Sequence, residues 1–285
     1  MQKTLLYLSI ITIIVSSITL FLSKYFFIFD LFSHFQLQYL IGLLLFSFGL
    51  SLYKNIKFLL INIIYILFLF ITFIQPVSFA QESINKTDIF FMNTKFKNTN
   101  NAPIINEIKK QNPQIIALVE PNKPLIDEIT DFFGSPIIEI NKKTNSYAIF
   151  SKKQPISQQV INTESLSLCY VEFDDFILLT IHTLDPLTPA KRNINLNFFE
   201  EIDQIITKLD SENKKFILTG DFNNTYYSAT FRKHFKKYFQ KNLYSWSLFM
   251  PWTIPIDHAL SNMPISTSRT PILSSDHVGL LIDIL

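Results

Sequence analysis

The chain has 285 residues, a formal net charge of +2 at pH 7 and 48% hydrophobic residues. Its first eighty residues contain four lysines and one aspartate, so the remainder is close to neutral. This balance argues against bulk electrostatic capture of a nucleic-acid backbone, which normally needs a strongly basic face. The single cysteine, Cys169, excludes an intrachain disulfide and a metal site built from several cysteines.

Three long segments without charge occupy the amino-terminal part of the chain. They cover about residues 4–23, 37–53 and 58–75. Each approaches the roughly 20 apolar residues that a bilayer-spanning helix needs. None has the polar face that a helix at the surface of a soluble protein presents to water, which disfavours the alternative of buried core helices. We therefore predict a membrane anchor at residues 1–80, with three transmembrane helices, and a second domain at residues 81–285.

The lysines near these segments predict an orientation. Lys3 precedes the first segment, and Lys54 and Lys57 lie between the second and the third. Positively charged loops tend to stay in the cytoplasm, although Lys24 in the opposite loop weakens the bias. Three crossings then place residues 81–285 outside the cytoplasm, as in a multi-pass protein of a bacterial-type inner membrane.

The lipid bilayer is the partner that the anchor predicts, and no protein partner is predicted. A channel or transporter is a poor alternative, because the three segments contain no charged residue and are too few to line a path unless the chain oligomerises.

Short apolar runs separated by turn residues fill the part after residue 81. They are DIFFMN, IIALVE, SYAIFS, LSLCYVEF, FILLTIH, KFILTGDFN, IDHALS and VGLLIDI, and we interpret them as strands. Only Asp174 and Asp175 separate LSLCYVEF from FILLTIH, which predicts an antiparallel hairpin. Helical spacing occurs in APIINEIKKQ, PLIDEITDFF and AKRNINLNFFEEIDQIITKLD. This mixture predicts an α/β fold with packed sheets and helices outside.

Polar side chains recur where these strands end. They are Asn93, Glu120, His182, Asp221, Asn223, Asp257, Asp276 and His277. Each one alone is more simply explained as a cap or a turn residue. Together they offer carboxylates, an amide and imidazoles without a thiolate, which is the ligand set that suits Mg²⁺ or Mn²⁺. Such a set can also supply a base and a donor to a phosphoryl oxygen, as phosphoester hydrolysis requires.

The stretch Gly220-Asp221-Phe222-Asn223 shows how a buried strand can end on chemical groups. Gly220 allows a close turn, and alternation in an extended segment places Asp221 and Asn223 on one side. Phe222 then points to the opposite side, into the core.

The order of these motifs, N…LVE…YAIFS…H…R…GDFN…IDH…SDH, resembles the endonuclease/exonuclease/phosphatase superfamily, over residues 88–285. The stretches HTLDPLTPAKR, SATFRKHF and PWTIPIDHAL are similar to its membrane-anchored bacterial, YafD-like branch. The resemblance implies a four-layered, DNase I-like α/β sandwich. It also implies an Mg²⁺-dependent (or Mn²⁺-dependent) hydrolase of phosphodiester bonds with a nuclease-like activity.

The resemblance assigns a role to each candidate residue. Glu120 is the implied principal metal ligand, with Asn93 beside it and Asp276 assisting. Asp221 is implied to orient or deprotonate the attacking water.

The remaining implied roles concern the substrate. Asn223 positions the water or the phosphate, and His182 donates to a phosphoryl oxygen. His277 stabilises the oxyanion, Asp257 holds its far ring nitrogen, and Arg192 contacts the substrate.

The sequence also departs from the family pattern. It has no clear counterpart of the phosphate-contacting tyrosine of the DNA-repair branch, although Tyr147, Tyr226 and Tyr227 are candidates, and abasic-site repair is therefore in doubt. A phospholipid or sphingomyelin-type phosphodiesterase and an inositol-phosphate phosphatase stay open as alternatives. A catalytically inactive, membrane-bound binding module is disfavoured, because loss of activity usually removes one member of a set that acts together, and this set is retained. Its members are Glu120, Asp221, Asn223, Asp257, Asp276 and His277.

Three other histidines are interpreted as structural. These are His34, His258 and His234, and His234 belongs to a basic segment in which Phe231, Phe235 and Phe239 predict an amphipathic helix.

Overall fold

The computed structural model describes residues 1–73, 87–141, 146–164, 166–239, 243–246 and 253–285. The chain divides into two compact units, Met1–Ser78 with Thr225–Lys233, and Phe79–Asn224 with His234–Leu285. We call the first the helical unit and the second the sandwich unit. The predicted domain boundary at residue 80 and the end of the third predicted span at residue 75 lie outside the described residues.

The helical unit contains a helix at each of the three uncharged segments. Its helices are α1 (Gln2–Leu22), α2 (Phe27–Ser33), α3 (Gln36–Leu52) and α4 (Ile56–Phe73). Asn62 of α4 accepts a hydrogen bond from Ser9 of α1 and donates one of 3.1 Å to Ser47 of α3. One amide thus joins three helices, as polar side chains do between helices that are otherwise apolar.

Only α1, among the described helices, is long and apolar enough to cross a membrane by itself. Helices α2 and α3 satisfy the same test only as a pair, bent by 63°, and the apolar part of α4, Ile56–Ile71, is shorter. At 1.5 Å per residue, α3 covers about 26 Å, less than the roughly 30 Å of a bilayer core. The prediction of three full transmembrane helices is therefore not supported, although the predicted helices themselves form.

The sandwich unit contains eleven strands among its described residues, in two sheets. The first sheet has strands β1 (Ile89–Asn93), β2 (Ile115–Val119), β3 (Ile138–Ile140), β4 (Tyr147–Ser151), β10 (Ile265–Arg269) and β11 (Leu280–Ile284). The second has β5 (Ser157–Asn162), β6 (Ser167–Glu172), β7 (Ile177–His182), β8 (Phe216–Asp221) and β9 (Asp257–Ser261). The strand orders are β10-β11-β1-β2-β4-β3 and β5-β6-β7-β8-β9. The predicted hairpin is β6 and β7, which pair antiparallel.

Helices cover both outer faces of the paired sheets. They are α5 (Ala102–Gln111), α6 (Lys123–Phe133) and α7 (Pro189–Ser211). A further helix, α8 (Ala229–Phe235), lies mostly in residues 225–233 of the helical unit. Side chains such as Phe91 of β1 and Leu178 of β7 share one core between the sheets. Phe90, on the other face of β1, packs in the core beneath α5 and α6, and Phe199 of α7 lies 6.1 Å from the Phe222 ring after β8. The predicted α/β sandwich is confirmed.

The basic segment near residue 235 forms a shorter helix than its phenylalanines predict. Helix α8 ends at Phe235, and Phe239 instead forms an isolated bridge with Leu260 of β9. Phe231, Phe235 and Phe239 are all buried, although Phe239 lies beyond the end of the helix. Their spacing therefore records burial and not one continuous helix.

Gly220 of β8 leaves no room for a side chain beside β7. These strands run parallel with Ile181 opposite Gly220, and a Cβ on Gly220 would lie 2.3 Å from the Ile181 carbonyl oxygen. Such a contact is impossible unless β7 moves, and β7 ends at His182, the residue after Ile181.

We therefore expect Gly220→Ala to lower the free energy of unfolding by at least about 2 kcal/mol, as overpacking against backbone does. The measurement is urea-induced unfolding of the full chain in detergent, followed by tryptophan fluorescence, since Trp246 belongs to the sandwich unit. An unchanged midpoint would contradict this account of the β7–β8 approach.

Candidate active site

The strand topology gathers the predicted polar residues at one edge of the sandwich. Strands β1 and β2 run parallel in the first sheet, and β7 and β8 run parallel in the second, so each pair ends on the same side. In the second sheet His182 stands opposite Asp221, which in turn stands opposite Asp257 of β9.

A cleft of about 560 Å³ opens at this edge. It is lined by seven of the sequence-predicted residues, namely Asn93, Glu120, His182, Asp221, Asn223, Asp276 and His277. The described lining also includes Lys95, Thr183, Leu184, Asp185, Leu187, Lys191 and Trp246.

The carboxylate of Asp221 lies at the centre of the cluster and is buried. Its Oδ2 accepts a hydrogen bond of 2.9 Å from Asn93 Nδ2. The Nε2 atoms of His182 and His277 each lie 3.9 Å from the same oxygen. Burial and the neighbouring Asp257 charge raise the pKa of Asp221 to about 6, against the lowering effect of the two imidazoles. A carboxyl group in this range can accept a proton near neutral pH.

Glu120 follows β2 in a left-handed conformation, with φ of 52°. Its Oε1 lies 3.2 Å from His182 Nε2, and its Oε2 accepts a hydrogen bond of 3.3 Å from the Phe96 backbone. The hydrogen bond from His182, with support from its charge and from Phe96 and Asn93, lowers the pKa of Glu120 to about 2, although burial opposes this. Glu120 is therefore an ionised carboxylate facing the cleft.

His182 and His277 are both buried and both favour the protonated form. Burial lowers the pKa of His277, but the charge and the 2.7 Å hydrogen bond of Asp257 at Nδ1, with further support from Asp221 and Asp276, raise it to about 9. The pKa of His182 is also raised, because Glu120 and Asp221 outweigh the effect of burial. His277 is therefore protonated near neutral pH, and the Nε2 atoms of both rings face the Asp221 carboxylate.

Asn223 adopts a left-handed conformation that directs its side chain across β7. Its φ is 45°, its backbone N–H donates to Asp221 Oδ1 at 2.8 Å, and its Nδ2 donates to the Thr183 carbonyl at 2.9 Å. Asn223 therefore lines the cleft with a side chain that is fixed on Thr183.

The donors in the cleft fit a hard divalent cation. Glu120, Asp221 and Asp276 offer carboxylate oxygens beside the amide of Asn93, and no thiolate lines the cleft among the described residues. A compact group of potential ligands, Asp221, Asp257 and His277, also lies within 4.8 Å. Because Asp257 and His277 already bond each other and Asp257 does not line the cleft, we favour the oxygens that face the cleft.

The model of the family described as Endonuclease/Exonuclease/phosphatase family matches residues 91–277, which is well over half of the chain.

The chain belongs to the endonuclease/exonuclease/phosphatase family.

Solved structures share the fold of this family member. An AP endonuclease from Archaeoglobus fulgidus has a TM-score of 0.56 at 12% identity, over 69% of this chain and 98% of its own. Truncated Caenorhabditis elegans TDP2 gives 0.53 at 16% identity, over 70% and 96%. D. rerio TDP2, solved with a single-strand DNA product, gives 0.51 at 14% identity, over 67% and 96%. No curated protein matches the chain.

Membership of the endonuclease/exonuclease/phosphatase family indicates a phosphoester hydrolase, while structural likeness at such identities establishes the fold alone. The family resemblance deduced from the motif order is therefore confirmed.

Two predicted residues of this family member lie away from the cleft. Asp257 is fully buried behind His277, which agrees with a supporting role. Arg192, predicted to contact substrate, is buried in α7, and its neighbour Lys191 lines the cleft instead, 2.7 Å from Asp185.

The candidate tyrosines for a phosphate contact also lie elsewhere. Tyr147 accepts a hydrogen bond of 2.9 Å from the His182 backbone and donates one of 2.7 Å to the Ser167 carbonyl, so it braces β7 from the core. Tyr226 and Tyr227 belong to the helical unit. None of the described residues that line the cleft is a tyrosine.

Sequence reasoning missed Ser275 and Lys95. Ser275 Oγ donates to the Asn93 carbonyl at 2.8 Å and accepts from the His277 backbone N–H at 3.2 Å, which joins the ends of two motifs. Lys95 Nζ lies 3.1 Å from Asp276 Oδ2 at the exposed mouth of the cleft. The serine of the SDH motif was a usable signal, whereas Lys95 had none.

His258, interpreted from the sequence as structural, lies in the core behind the GDFN turn. Its Nε2 donates to the Asn224 carbonyl at 2.8 Å, and its ring lies 5.3 Å from that of Phe222. Burial lowers its pKa from 6.5 to about 4, so the folded protein holds the neutral ring.

Because the unfolded chain binds a proton here at higher pH than the folded chain, His258 reduces stability as pH falls from 6.5 towards 4. We expect a loss of about 2 kcal/mol at pH 5 relative to pH 7 from this group. His258→Gln, whose amide can still donate to Asn224, should lose that component of the pH dependence. Urea unfolding at both pH values, followed by tryptophan fluorescence, measures the difference. Identical pH dependence in the two proteins would contradict it.

Proposed function

We propose that this protein is a membrane-anchored phosphodiesterase of the nuclease type that depends on Mg²⁺ or Mn²⁺. The observation that carries the proposal is the Asp221 carboxylate, placed between Asn93 and two imidazoles in a cleft that also contains an ionised Glu120. A base, charged donors and cation ligands are thus gathered within one cleft.

Each residue has a distinct chemical task in this proposal. Asp221, with its pKa raised to about 6, orients a water molecule and accepts its proton, and Asn223 positions that water or the phosphate. His277 has a pKa of about 9 because Asp257 bonds it, and it donates to the phosphoryl oxygen on which charge develops. His182 donates to another phosphoryl oxygen. Removal of one such donor typically lowers kcat by about 10²- to 10³-fold.

Glu120, with Asn93 and Asp276 beside it, would hold the divalent cation. The cation, when bound, neutralises charge on the phosphoryl oxygens. Three carboxyl groups, those of Glu120, Asp221 and Asp276, line this cleft, and carboxylate oxygens are the ligands that such a cation prefers.

A nucleic acid is the proposed substrate. The D. rerio TDP2 structure holds a single-strand DNA product on the same fold, which supports a nucleic-acid phosphodiester here. We propose that Lys95 and Lys191 contact flanking phosphates in exchange for their present partners, Asp276 and Asp185. A substrate contact of Arg192, as predicted from the sequence, would require its buried side chain to reach the cleft, which it does not line. A phospholipid phosphodiester is the competing outcome, since an anchor would confine the enzyme near a bilayer.

The proposed anchor is the helical unit, with α1 as the membrane-spanning helix. Large apolar side chains on its helices are exposed in the protein alone, including Phe48 at 68%, Ile64 at 67% and Ile71 at 79%. Contiguous apolar surface of this kind is typical of contact with lipid or another protein. We propose that it faces the bilayer, in the manner of the membrane-anchored bacterial branch of the family, with the sandwich unit outside the cytoplasm.

The activity test uses the full chain in detergent with Mg²⁺ and a panel of single-stranded DNA, plasmid DNA, RNA, bis-p-nitrophenyl phosphate and sphingomyelin. We expect nucleic-acid hydrolysis that falls at least about 100-fold in Glu120→Gln and in Asp257→Asn, because one removes a proposed cation ligand and the other the support of His277.

Glu128→Gln, a charge-matched change at an exposed site on α6, is the control and should retain full activity. Hydrolysis of sphingomyelin alone would replace nucleic acid by a lipid substrate. A folded protein that binds Mg²⁺ and DNA without hydrolysis would instead establish the binding module.

The orientation is tested with reporters fused after Leu285. Alkaline phosphatase, which is active only outside the cytoplasm, should be active at this position, and green fluorescent protein should be dark when exported through the general secretory route. The reverse pattern would place the sandwich unit in the cytoplasm and overturn the proposed topology.

A further inference from the structure

A short segment next to the active-site turn belongs to the helical unit. The chain of the sandwich unit passes through Asp221, Asn223 and Asn224, and residues 225–233 that follow are part of the helical unit. The segment is buried rather than exposed, with Thr225 and Ser228 fully covered. Connections between strands and helices usually run over the surface, so the burial of this one is unusual.

Two hydrogen bonds join this segment to the connection between α1 and α3. Ser228 Oγ donates to Asp30 Oδ1 of α2 at 2.7 Å, and the Thr225 hydroxyl lies 2.9 Å from His34 Nδ1. All four side chains are buried. A buried carboxylate is costly without partners, so Asp30 is stable here only because hydrogen-bond donors such as Ser228 meet it.

The segment itself has little freedom to adjust. The Ser228 backbone N–H donates to the Thr225 carbonyl at 3.0 Å, and the Thr230 N–H donates to Ser228 Oγ at 3.2 Å. Arg232 Nη1 donates to the Tyr226 carbonyl at 3.1 Å. The Ser228 hydroxyl therefore bonds both Asp30 of α2 and the backbone of its own turn, which links the position of the turn to that of α2.

The residues just before the segment are equally fixed. Asn223 is bonded to Thr183 and to Asp221, and the Asn224 carbonyl accepts from His258. Only the backbone between Asn224 and Thr225 separates these bonds from those of the segment. Asn223 and Thr225 are thus two residues apart on a backbone that is held by hydrogen bonds on both sides.

We propose that Asp30 and His34 form a clasp that holds residues 225–228 and thereby positions Asn223 for phosphoester hydrolysis. Asp30, His34, Thr225 and Ser228 are positioning residues, since none of them lines the cleft. The amino-terminal helices then position a residue of the active site besides anchoring the protein. The kinetic part of this inference rests on the proposed function, whereas the structural part does not.

The kinetic test compares Thr225→Val and Ser228→Ala with wild type, using the full chain in detergent and the substrate found most active. Each variant removes one hydroxyl of the clasp. We expect kcat to fall about 10- to 100-fold with KM within about twofold, as misplacement of a positioning group does. Thr225→Ser, which keeps the hydroxyl, should restore kcat, and Ser211→Ala on the exposed face of α7 is the control.

Hydrogen exchange measured by mass spectrometry gives a readout that does not need activity. In Thr225→Val and Ser228→Ala, amides of residues 222–228 should exchange faster, while those of the β6–β7 hairpin should not change. This pattern separates a released clasp from a protein that fails to fold, which would expose both regions.

The two hypotheses fail in different ways. A wild-type protein inactive on every substrate, with the expected exchange pattern in the variants, would overturn the proposed function and keep the clasp. Wild-type kcat in both variants, or unchanged exchange at residues 222–228, would overturn the clasp. Equal loss of kcat in Thr225→Ser and Thr225→Val would also overturn it, because the hydroxyl would then have no part in the effect.

Discussion

The buried Asp221 carboxylate is the interaction on which the site depends. A carboxylate removed from water is stable only with donors or opposite charges around it. Here Asn93 and His182, at the ends of β1 and β7, and His277, just before β11, surround it. This arrangement requires β7 and β8 to end side by side, which the absence of a side chain at Gly220 permits. The same packing that builds the core therefore sets the electrostatics of the cleft.

The two histidines are similar in burial but differ in their partners. His277 bonds Asp257, which does not line the cleft, so its charged form is held by a partner that a substrate does not displace. His182 bonds Glu120, which lines the cleft and is itself a candidate cation ligand. Binding at Glu120 would therefore alter the proton affinity of His182 more directly than that of His277. The proton affinity of His277 is thus set by the protein, whereas that of His182 depends on what binds in the cleft.

The helical unit has an apolar outer surface and buried polar hydrogen bonds inside. Its outward side chains are apolar, whereas its interior contains Asn62 bonded to Ser9 and Ser47, and Asp30 bonded to Ser228. Polar groups inside an apolar helical assembly specify which helices meet, because a misplaced partner leaves a donor or acceptor unsatisfied. Since one of these partners comes from residue 228, the segment after the GDFN turn is specified in the same way.

The sequence by itself determined the local features of this protein. Charge-free runs predicted the amino-terminal helices, alternation in GDFN placed Phe222 in the core, and the motif order established the family and the strand ends that carry the site. These are properties of neighbouring residues, and periodicity records them directly. The predicted count of three membrane-spanning helices was not supported, because α2 and α3 are bent by 63° and the apolar part of α4 is short.

Only the tertiary structure decided which of these residues meet. Arg192 matched the motif order but is buried beside Lys191, which lines the cleft, and one residue along a helix is a turn of about 100° that no spacing rule fixes in advance. Ser275 and Tyr147 brace Asn93 and His182 across strands that are remote in sequence. The bonds of Asp30 and His34 to residues 225–228 span nearly two hundred positions, and such pairings follow from how the chain packs, because no local pattern encodes them.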